Sequence, residues 1–457
     1  MRVTVLINDS EYRKFSDIKL CYTKYDGTEK QVSLLFSDYE RVFDYITDHT
    51  SIKFDFFLIS AIIYGVDNLL SRNIYSNDGW TRDIEVELPV NNLHNWQGNE
   101  DRLVEILNFL TGDNWTVTFV QNTQENYYSP RPLSRRSKNL PINYDKNLIK
   151  SVSLFSGGLD SLIGIINELQ ILEDGKKILL VSHFDNKSKG PNSDQLKLLT
   201  HLNRKYRDKI YWVQSKLALS RKDNDGIKFN VEKNYRSRSL FFIGLGCYLS
   251  PINKLIIPEN GTISINYPLT PSRVSSLSTR TTHPFILKKI QELLDVMGID
   301  MIISNPYTFK TKGEMILECS NQIFLREIYM HSVSCGKRGR RQHHRDNPDE
   351  NHHCGRCMPC IYRRAALNKA NLDDERQYGN FITKVPSLGK NDLPALFNYL
   401  KKDISVEKME RDLIVNGNID NLPLNNYAQM VLRSKDEVLS LFRDKGNTFV
   451  KTKLNLR

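Results

Sequence analysis

A glycine turn flanked by hydroxyl residues is the first place in this sequence where residue types and spacing could do chemistry. The run SGGLDS at residues 156–161 follows a short apolar stretch and precedes one with helical periodicity. Adjacent glycines let the backbone adopt positive φ and approach a bound group closely, so that several N–H donors and the helix dipole converge on an anion. The turn has neither GxxxxGKS/T nor GxGxxG, which excludes a Walker A loop and a dinucleotide fingerprint.

Four of the seven cysteines form a second candidate site. Cys354, Cys357 and Cys360 give two overlapping CxxC spacings, and Cys335 lies upstream. Seven cysteines in 457 residues are too few for a disulfide scaffold. Four thiolates suit tetrahedral Zn²⁺, so we predict a zinc-binding loop over residues 331–364, with an iron–sulfur cluster and a redox pair as alternatives.

Histidines close to these cysteines are rival ligands. They are His331, His343, His344, His352 and His353. The more typical role of each histidine is that of a solvent-exposed loop residue, or of a residue that contacts a metal ligand without binding the metal itself.

The elements that must position the glycine turn follow from an alternation of strands and helices. Short apolar runs, each typical of a buried strand, recur at 151–155, 178–183, 210–214, 254–258 and 301–304. Between them lie stretches with helical periodicity, at 161–172, 237–249, 283–297 and 312–329. This alternation predicts an α/β fold with a doubly wound parallel sheet, in which ligands bind at the carboxyl ends of the strands.

Further regions flank this α/β part. Residues 1–120 mix alternating runs with helical stretches and predict an α+β N-terminal domain. Residues 121–148 are rich in Pro, Ser, Asn and Arg and predict a linker, so the α/β domain is predicted over 149–370. Residues 371–457 contain amphipathic helices, and this helical C-terminal region is expected to cap the sheet or to pack on the first domain.

Composition excludes several classes of protein. With 40% hydrophobic and 26% charged residues, the chain is neither disordered nor fibrous. The most apolar stretches, 56–66 and 240–249, are shorter than the roughly 20 residues of a spanning helix, which predicts no membrane association. The first residues lack the apolar core of a signal peptide, and we therefore expect a cytoplasmic protein. The net charge of +11 could attract nucleic acid or serve a phosphate-rich ligand.

The glycine turn resembles the PP-loop of the ATP-pyrophosphatase superfamily, a HUP-like fold whose members cleave ATP between the α and β phosphates to adenylate a substrate. Together with Cys335 and CGRCMPC at 354–360, it resembles the 7-cyano-7-deazaguanine synthase family. The segments YRSRSLFF at 235–242 and FKTKGEM at 309–315 are similar to the family's arginine and lysine segments. This resemblance covers roughly half of the chain, from about 150 to 370.

The rest of the chain departs from the biosynthetic synthase, which is a compact single domain. STRTTHP at 278–284 stands where that enzyme has YPDCR. The N-terminal region, PENG at 258–261, the TRTTHP run and the long cysteine loop resemble the synthase-like branch of the Qat anti-phage defence system. The departure puts the product in question more than the activation chemistry.

The resemblance implies an adenylating ligase in anti-phage defence. It would activate a carboxylate of the 7-carboxy-7-deazaguanine type for amide formation, with ammonia or an amine of a partner protein, such as an N-terminal glycine, as acceptor. The implied cofactors are ATP, Mg²⁺ and Zn²⁺. Magnesium is expected because the charge on a departing pyrophosphate has to be neutralised, and Asp160 could hold it directly or through water.

The resemblance also implies site residues. The ATP-binding set is Leu154, Phe155, Ser156, Gly157, Gly158, Asp160, Ser161 and His183, with His183 placed to meet the adenosine. Asp160, Arg238 and Lys312 form the catalytic set, in which the two cations would neutralise charge on the leaving pyrophosphate. The candidates for the deazapurine pocket are Glu259, Asn260, Arg280 and His283, since a guanine-like edge needs a carboxylate or amide partner. No general base is evident.

Two other functions remain open. A tRNA-modifying enzyme with a PP-loop, of the thiolase or lysidine-ligase type, would need reactive cysteines near ATP, whereas here the cysteines fit a zinc site. A non-catalytic adaptor that binds nucleic acid is suggested by the basic residues of the cysteine loop and the linker, although a phosphate-rich ATP site accounts for much of the positive charge.

Overall fold

The computed structural model describes residues 1–7, 18–37, 48–123, 144–184, 189–233, 236–269, 280–336, 353–380, 382–383, 393–417, 419 and 422–456. The strands in these ranges are β1 (Arg2–Ile7), β2 (Ile18–Thr23), β3 (Glu29–Ser37), β4 (Asp83–Val90), β5 (Asn114–Gln121), β6 (Ile149–Leu154), β7 (Lys177–Phe184), β8 (Ile210–Leu219), β9 (Lys254–Ile256) and β10 (Ile302–Ser304). They form one sheet of ten strands with the order β10-β9-β6-β7-β8-β3-β2-β1-β4-β5.

The helices surround this sheet. In the first half of the described chain they are α1 (Ile52–Leu69), α2 (Arg72–Tyr75), α3 (Leu93–Trp96), α4 (Glu100–Thr111), α5 (Leu159–Ile171), α6 (Lys189–Lys205) and α7 (Arg238–Leu249). In the second half they are α8 (Gly261–Ile265), α9 (Pro284–Val296), α10 (Lys312–Leu317), α11 (Gln322–Ile328), α12 (Met358–Lys369), α13 (Leu393–Leu400), α14 (Val406–Gly417), α15 (Leu424–Lys445) and α16 (Thr448–Lys453).

The five strands predicted from the alternating pattern are all present and pair in parallel, in the order β10-β9-β6-β7-β8. The α/β class is therefore confirmed. Strand β8 runs to Leu219, beyond the predicted end at 214, because its last residues pair with β3. The single helix predicted over 312–329 is wrong: the chain breaks it between α10 and α11, where the Asn321 side chain accepts a hydrogen bond from the Phe324 N–H and begins a new helix.

The N-terminal strands extend the same sheet. Strand β3 is antiparallel to β8, with Leu34 opposite Leu219 and Ser37 opposite Lys216. Strands β2 and β1 continue in antiparallel order, and β4 and β5 follow in parallel. The predicted domain boundaries stay a prediction, and most of the predicted linker, 124–143, lies outside the described residues.

Helices α1 and α7 pack closely against each other on this sheet. The approach requires Gly244, since a Cβ there would overlap the Ser60 Oγ. The rings of Tyr64 and Phe241 stack across the same interface with centroids 5.7 Å apart. Helix α1 therefore links the N-terminal part of the chain to the α/β part through a buried interface.

The described C-terminal helices pack on the α/β part. Helix α15 lies against α8, α10 and α12, and it buries one face, which includes Tyr427, Val431 and Phe442. Whether this region caps the sheet or packs on the first domain stays a prediction. None of the described helices is both long and apolar enough to cross a membrane.

Candidate active site and metal centre

The glycine turn lies at the carboxyl end of β6, in the middle of the five parallel strands. Gly157 has φ +83, a conformation that favours glycine, and Gly158 is the N-cap of α5. The Ser156 Oγ accepts a hydrogen bond from the Gly158 N–H at 3.2 Å, and the Ser161 Oγ donates to the Gly158 carbonyl at 3.0 Å. The two serine hydroxyls, 3.2 Å apart, thus stabilise the turn itself.

Two segments that the sequence did not indicate lie against this turn. The Val333 N–H donates to the Gly157 carbonyl at 3.0 Å, and the Ser334 Oγ accepts from the Leu159 N–H at 3.5 Å. On the other side, Gln195 of α6 donates to the Ser156 and His183 carbonyls, both at 3.3 Å. A glutamine within an amphipathic helix carries no signal of this role, which depends on a fold contact.

Four predicted site residues meet beside the turn. The Asp160 and Lys312 side chains form an ion pair and are only 6% and 4% exposed. The Asn260 Nδ2 donates to the other Asp160 oxygen at 2.6 Å, and the Glu259 carboxyl is hydrogen-bonded to Asp160. Residues from α5, from the loop after β9 and from the start of α10 therefore form one polar cluster, which we call the Asp160 cluster.

The two carboxyls of the Asp160 cluster ionise differently. Burial raises the pKa of Glu259 well above its ordinary value, and the negative charge of Asp160 adds to this effect. Burial also acts to raise the pKa of Asp160, but the Lys312 charge and hydrogen bonds from Glu259, Lys312 and Asn260 outweigh it and hold that pKa below the ordinary value. Of the two carboxyls, Glu259 is therefore the one that keeps a proton to the higher pH.

The backbone around the cluster is held by local caps. Asn260 is the N-cap of α8, and its Oδ1 accepts from the Ile263 N–H at 3.1 Å. Thr311 and Glu314 form a capping box at the start of α10, immediately around Lys312. Helix α5 approaches the end of β9 closely, since a Cβ on Gly164 would lie 2.5 Å from the Pro258 Cβ.

His183 and Arg238 lie on the neighbouring elements. The His183 ring is 1% exposed and packs against Phe241 and Tyr64, with centroids 4.8 and 5.8 Å away. Burial, together with the nearby Arg238 charge, holds the pKa of His183 well below its ordinary value. The predicted contact of this buried ring with adenosine stays a prediction. Arg238 is the first residue of α7 and is half-buried.

The remaining two candidates for the substrate pocket both contact Phe109. The Arg280 guanidinium lies 4.1 Å from the Phe109 ring centroid, and one of its nitrogens donates to the Phe109 carbonyl at 3.1 Å. The His283 ring packs on Phe109 at 5.3 Å. The structure therefore brings Glu259 and Asn260 to the turn, and it places Arg280 and His283 between α4 and α9. Residues 278–279 of the STRTTHP run lie outside the described residues.

His283 predicts a pH dependence of stability. Its buried Nδ1 accepts a hydrogen bond from the Phe285 N–H at 3.3 Å, and burial followed by the Arg280 charge lowers its pKa from 6.5 to about 3. Because the unfolded chain binds this proton first, the stabilising contribution is present above pH 6.5 and is lost as the pH falls towards 3. At pH 5 the loss from this histidine is about 2 kcal/mol.

Urea unfolding at pH 7.5 and pH 5 measures this effect. We expect His283→Asn, which keeps an acceptor for the Phe285 N–H, to lose less stability between the two pH values than the wild type does. His94→Asn, at an exposed position, is the matched control. An equal loss in wild type and His283→Asn would contradict the assignment.

The four predicted cysteines come together. The Sγ atoms of Cys335, Cys354, Cys357 and Cys360 all lie within 4.8 Å of one another, and those of Cys354 and Cys360 are 3.8 Å apart. A tetrahedral site with Zn–S bonds of about 2.3 Å has sulfur–sulfur separations of about 3.8 Å. This group, which we call the four-cysteine cluster, could therefore hold a metal ion such as zinc.

The described rival histidines lie outside the four-cysteine cluster. The His353 Nε2 accepts a hydrogen bond from the Ser334 N–H at 3.3 Å, so it supports the residue next to Cys335. His331 stacks on His201 with ring centroids 4.5 Å apart. His343, His344 and His352 lie outside the described residues.

One short segment joins the glycine turn to the four-cysteine cluster. Val333 and Ser334 contact the turn, and Cys335 follows them directly. The Cys335 Sγ also accepts a hydrogen bond from the Cys354 N–H at 3.4 Å. A metal ion held by the cysteines would therefore also fix the segment that lies over the turn.

Comparison with protein-family models, with curated proteins and with solved structures finds no match for this chain. Its function is therefore inferred from its residues and from the geometry above.

Proposed function

We propose that this chain is an ATP-dependent adenylating ligase of the 7-cyano-7-deazaguanine synthase type, which acts in cytoplasmic anti-phage defence. The observation that carries the proposal is the SGGLDS turn at the carboxyl end of a central parallel strand, beside the buried Asp160 cluster. Ligands of open α/β sheets bind at this end of the strands, and the N-terminus of α5 offers backbone N–H groups to phosphate oxygens.

The charged residues near the turn have two proposed roles: the cations bind phosphate, and the carboxylate binds Mg²⁺. Lys312 and Arg238 supply positive charge for the phosphates, and the Arg238 charge lies near enough to His183 to lower its pKa. Asp160 supplies the carboxylate that would hold Mg²⁺, a hard cation that prefers oxygen ligands. When bound, Mg²⁺ neutralises charge on the leaving pyrophosphate.

The reaction we propose has two steps. A substrate carboxylate oxygen attacks the α phosphorus of ATP, the bond to the bridging oxygen breaks, and pyrophosphate leaves with that electron pair. An amine nitrogen then attacks the carbonyl carbon of the acyl adenylate, AMP leaves, and the nitrogen loses a proton to give an amide. A carboxylate of the 7-carboxy-7-deazaguanine type is the substrate class, and an amine on a partner protein or ammonia is the acceptor.

Product analysis tests this function. The protein is incubated with ATP, Mg²⁺ and 7-carboxy-7-deazaguanine, with and without proteins encoded beside it, and AMP, ADP and pyrophosphate are quantified. We expect AMP and pyrophosphate in equal amounts, and only when the acid is present. Absence of AMP with acid and partner present would reject the proposal, and transfer of label to tRNA would favour the tRNA-modifying alternative.

A further inference from the structure

The C-terminal helix α15 reaches the loop that carries Lys312. We infer that Glu437 of α15 is a positioning residue that holds Lys312 at the glycine turn, and this inference rests on the proposed function. Lys312 has a long, flexible side chain, so the direction of its ammonium depends on how firmly its backbone is fixed. Glu437 is 7% exposed and has its carboxylate directed at that backbone.

Glu437 contacts the residues on both sides of Lys312. Its Oε1 accepts a hydrogen bond from the Thr311 hydroxyl, and its Oε2 accepts from the Gly313 N–H at 3.3 Å. Lys369 of α12 pairs with the same carboxylate at 2.9 Å, which balances its buried charge. The backbone at Lys312 is thus fixed from both neighbours by one side chain.

Close packing makes this contact specific. A Cβ on Gly313 would lie 2.5 Å from the Glu437 Oε1, so only glycine leaves room for the carboxylate. One turn away on α15, Arg433 donates to the Glu314 carboxylate at 2.7 Å and to the Phe309 carbonyl at 2.8 Å. Helix α15 therefore holds the loop 309–314 at two points.

The consequence concerns where the Lys312 ammonium lies. Its stem is buried, its backbone is fixed by Glu437, and its ammonium contacts Asp160 in the first turn of α5. A phosphate bound at that helix N-terminus would lie beside the Lys312 ammonium. Because this side chain is already ordered, the reaction would not have to include the entropy cost of ordering it. The C-terminal region thereby contributes to the site through the backbone on either side of Lys312.

A double-mutant cycle tests the inference through the proposed reaction. We expect Glu437→Gln to lower kcat for AMP formation about 10-fold with a smaller change in KM for ATP, because the lost order matters most as charge develops. In a Lys312→Met background the same change should have no further effect, because Glu437 acts through Lys312. Asp444→Asn, also on α15 but exposed and bonded to Asn368, is the matched control. Equal effects of Glu437→Gln in both backgrounds would overturn the inference.

A second measurement needs no activity. Acetylation of individual lysines by acetic anhydride, followed by peptide mass spectrometry, reports how well Lys312 is held. We expect the acetylation rate of Lys312 to rise several-fold in Glu437→Gln and not in Asp444→Asn, and an unchanged rate would reject the positioning role.

A second variant serves if Glu437→Gln fails to fold. Arg433→Gln, at the exposed second point where α15 holds the loop, is expected to raise the acetylation rate of Lys312 by a smaller factor, and no rise would overturn the inference. If the wild type forms no AMP, the proposed function fails while this measurement still decides the role of Glu437.

Discussion

Asp160→Asn is expected to reduce pyrophosphate release at least about 100-fold and to destabilise the protein by about 3 to 5 kcal/mol. The loss of activity follows because Asp160 holds both Lys312 and Asn260 beside the glycine turn. The loss of stability follows because asparagine removes the carboxylate that pairs with the buried Lys312 ammonium. Pyrophosphate release measures the first effect, and urea unfolding at neutral pH measures the second.

A double variant separates these two effects. Asp160→Asn combined with Lys312→Met removes both charges of the buried pair, so we expect it to be more stable than Asp160→Asn alone and still inactive. Asp174→Asn removes one partner of an exposed pair with Lys209 and should change stability by less than about 0.5 kcal/mol. A double variant no more stable than Asp160→Asn would contradict the account of the buried pair.

The second large effect is expected at the metal centre. Cys354→Ser should lower the bound metal from about one ion per chain to a small fraction of that, because a closed structural site needs all four thiolates. It should also loosen the segment from Val333 to Cys335 and expose the glycine turn. Elemental analysis measures the metal, and hydrogen exchange at the backbone of residues 157–159 measures the turn.

Cys21→Ser is the matched control, because Cys21 lies on β2 and is not part of the four-cysteine cluster. We expect it to leave both the metal content and the exchange rates of the turn unchanged. Full metal content in Cys354→Ser would reject the assigned ligand set. Loss of metal with unchanged exchange at the turn would show that the two sites are not coupled through residues 333–335.

Local sequence patterns were sufficient for the centre of the site. The five apolar runs predicted parallel strands because such strands are buried on both faces. The SGGLDS run predicted the tight turn because its glycines suit the required backbone. The CxxC spacing predicted that three thiolates lie close together, because they are near neighbours in the sequence. Cys335 is distant in the sequence and lies beside them because of the tertiary fold.

Contacts between distant segments were not predictable from such patterns. Asp67 of α1 accepts hydrogen bonds from the Arg236 N–H at 2.8 Å and from the Ser237 N–H at 3.0 Å, and thus supports the start of the helix that carries Arg238. Glu437 supports Lys312 in the same way from the other end of the chain. A single carboxylate within an amphipathic helix looks the same whether it faces water or another helix.

The pairing of β3 with β8 determines which segment of this protein could be exchanged between genes as one folded unit. Without residues 29–37, the backbone of Lys216–Leu219 would become an unpaired strand edge, and such edges promote aggregation unless something covers them. The five parallel strands β6 to β10 are therefore protected from edge pairing by the preceding segment. Recombination between genes at a point between β5 and β6 would separate two halves of a single hydrogen-bonded sheet, so the whole sheet is the smallest unit that could be transferred intact.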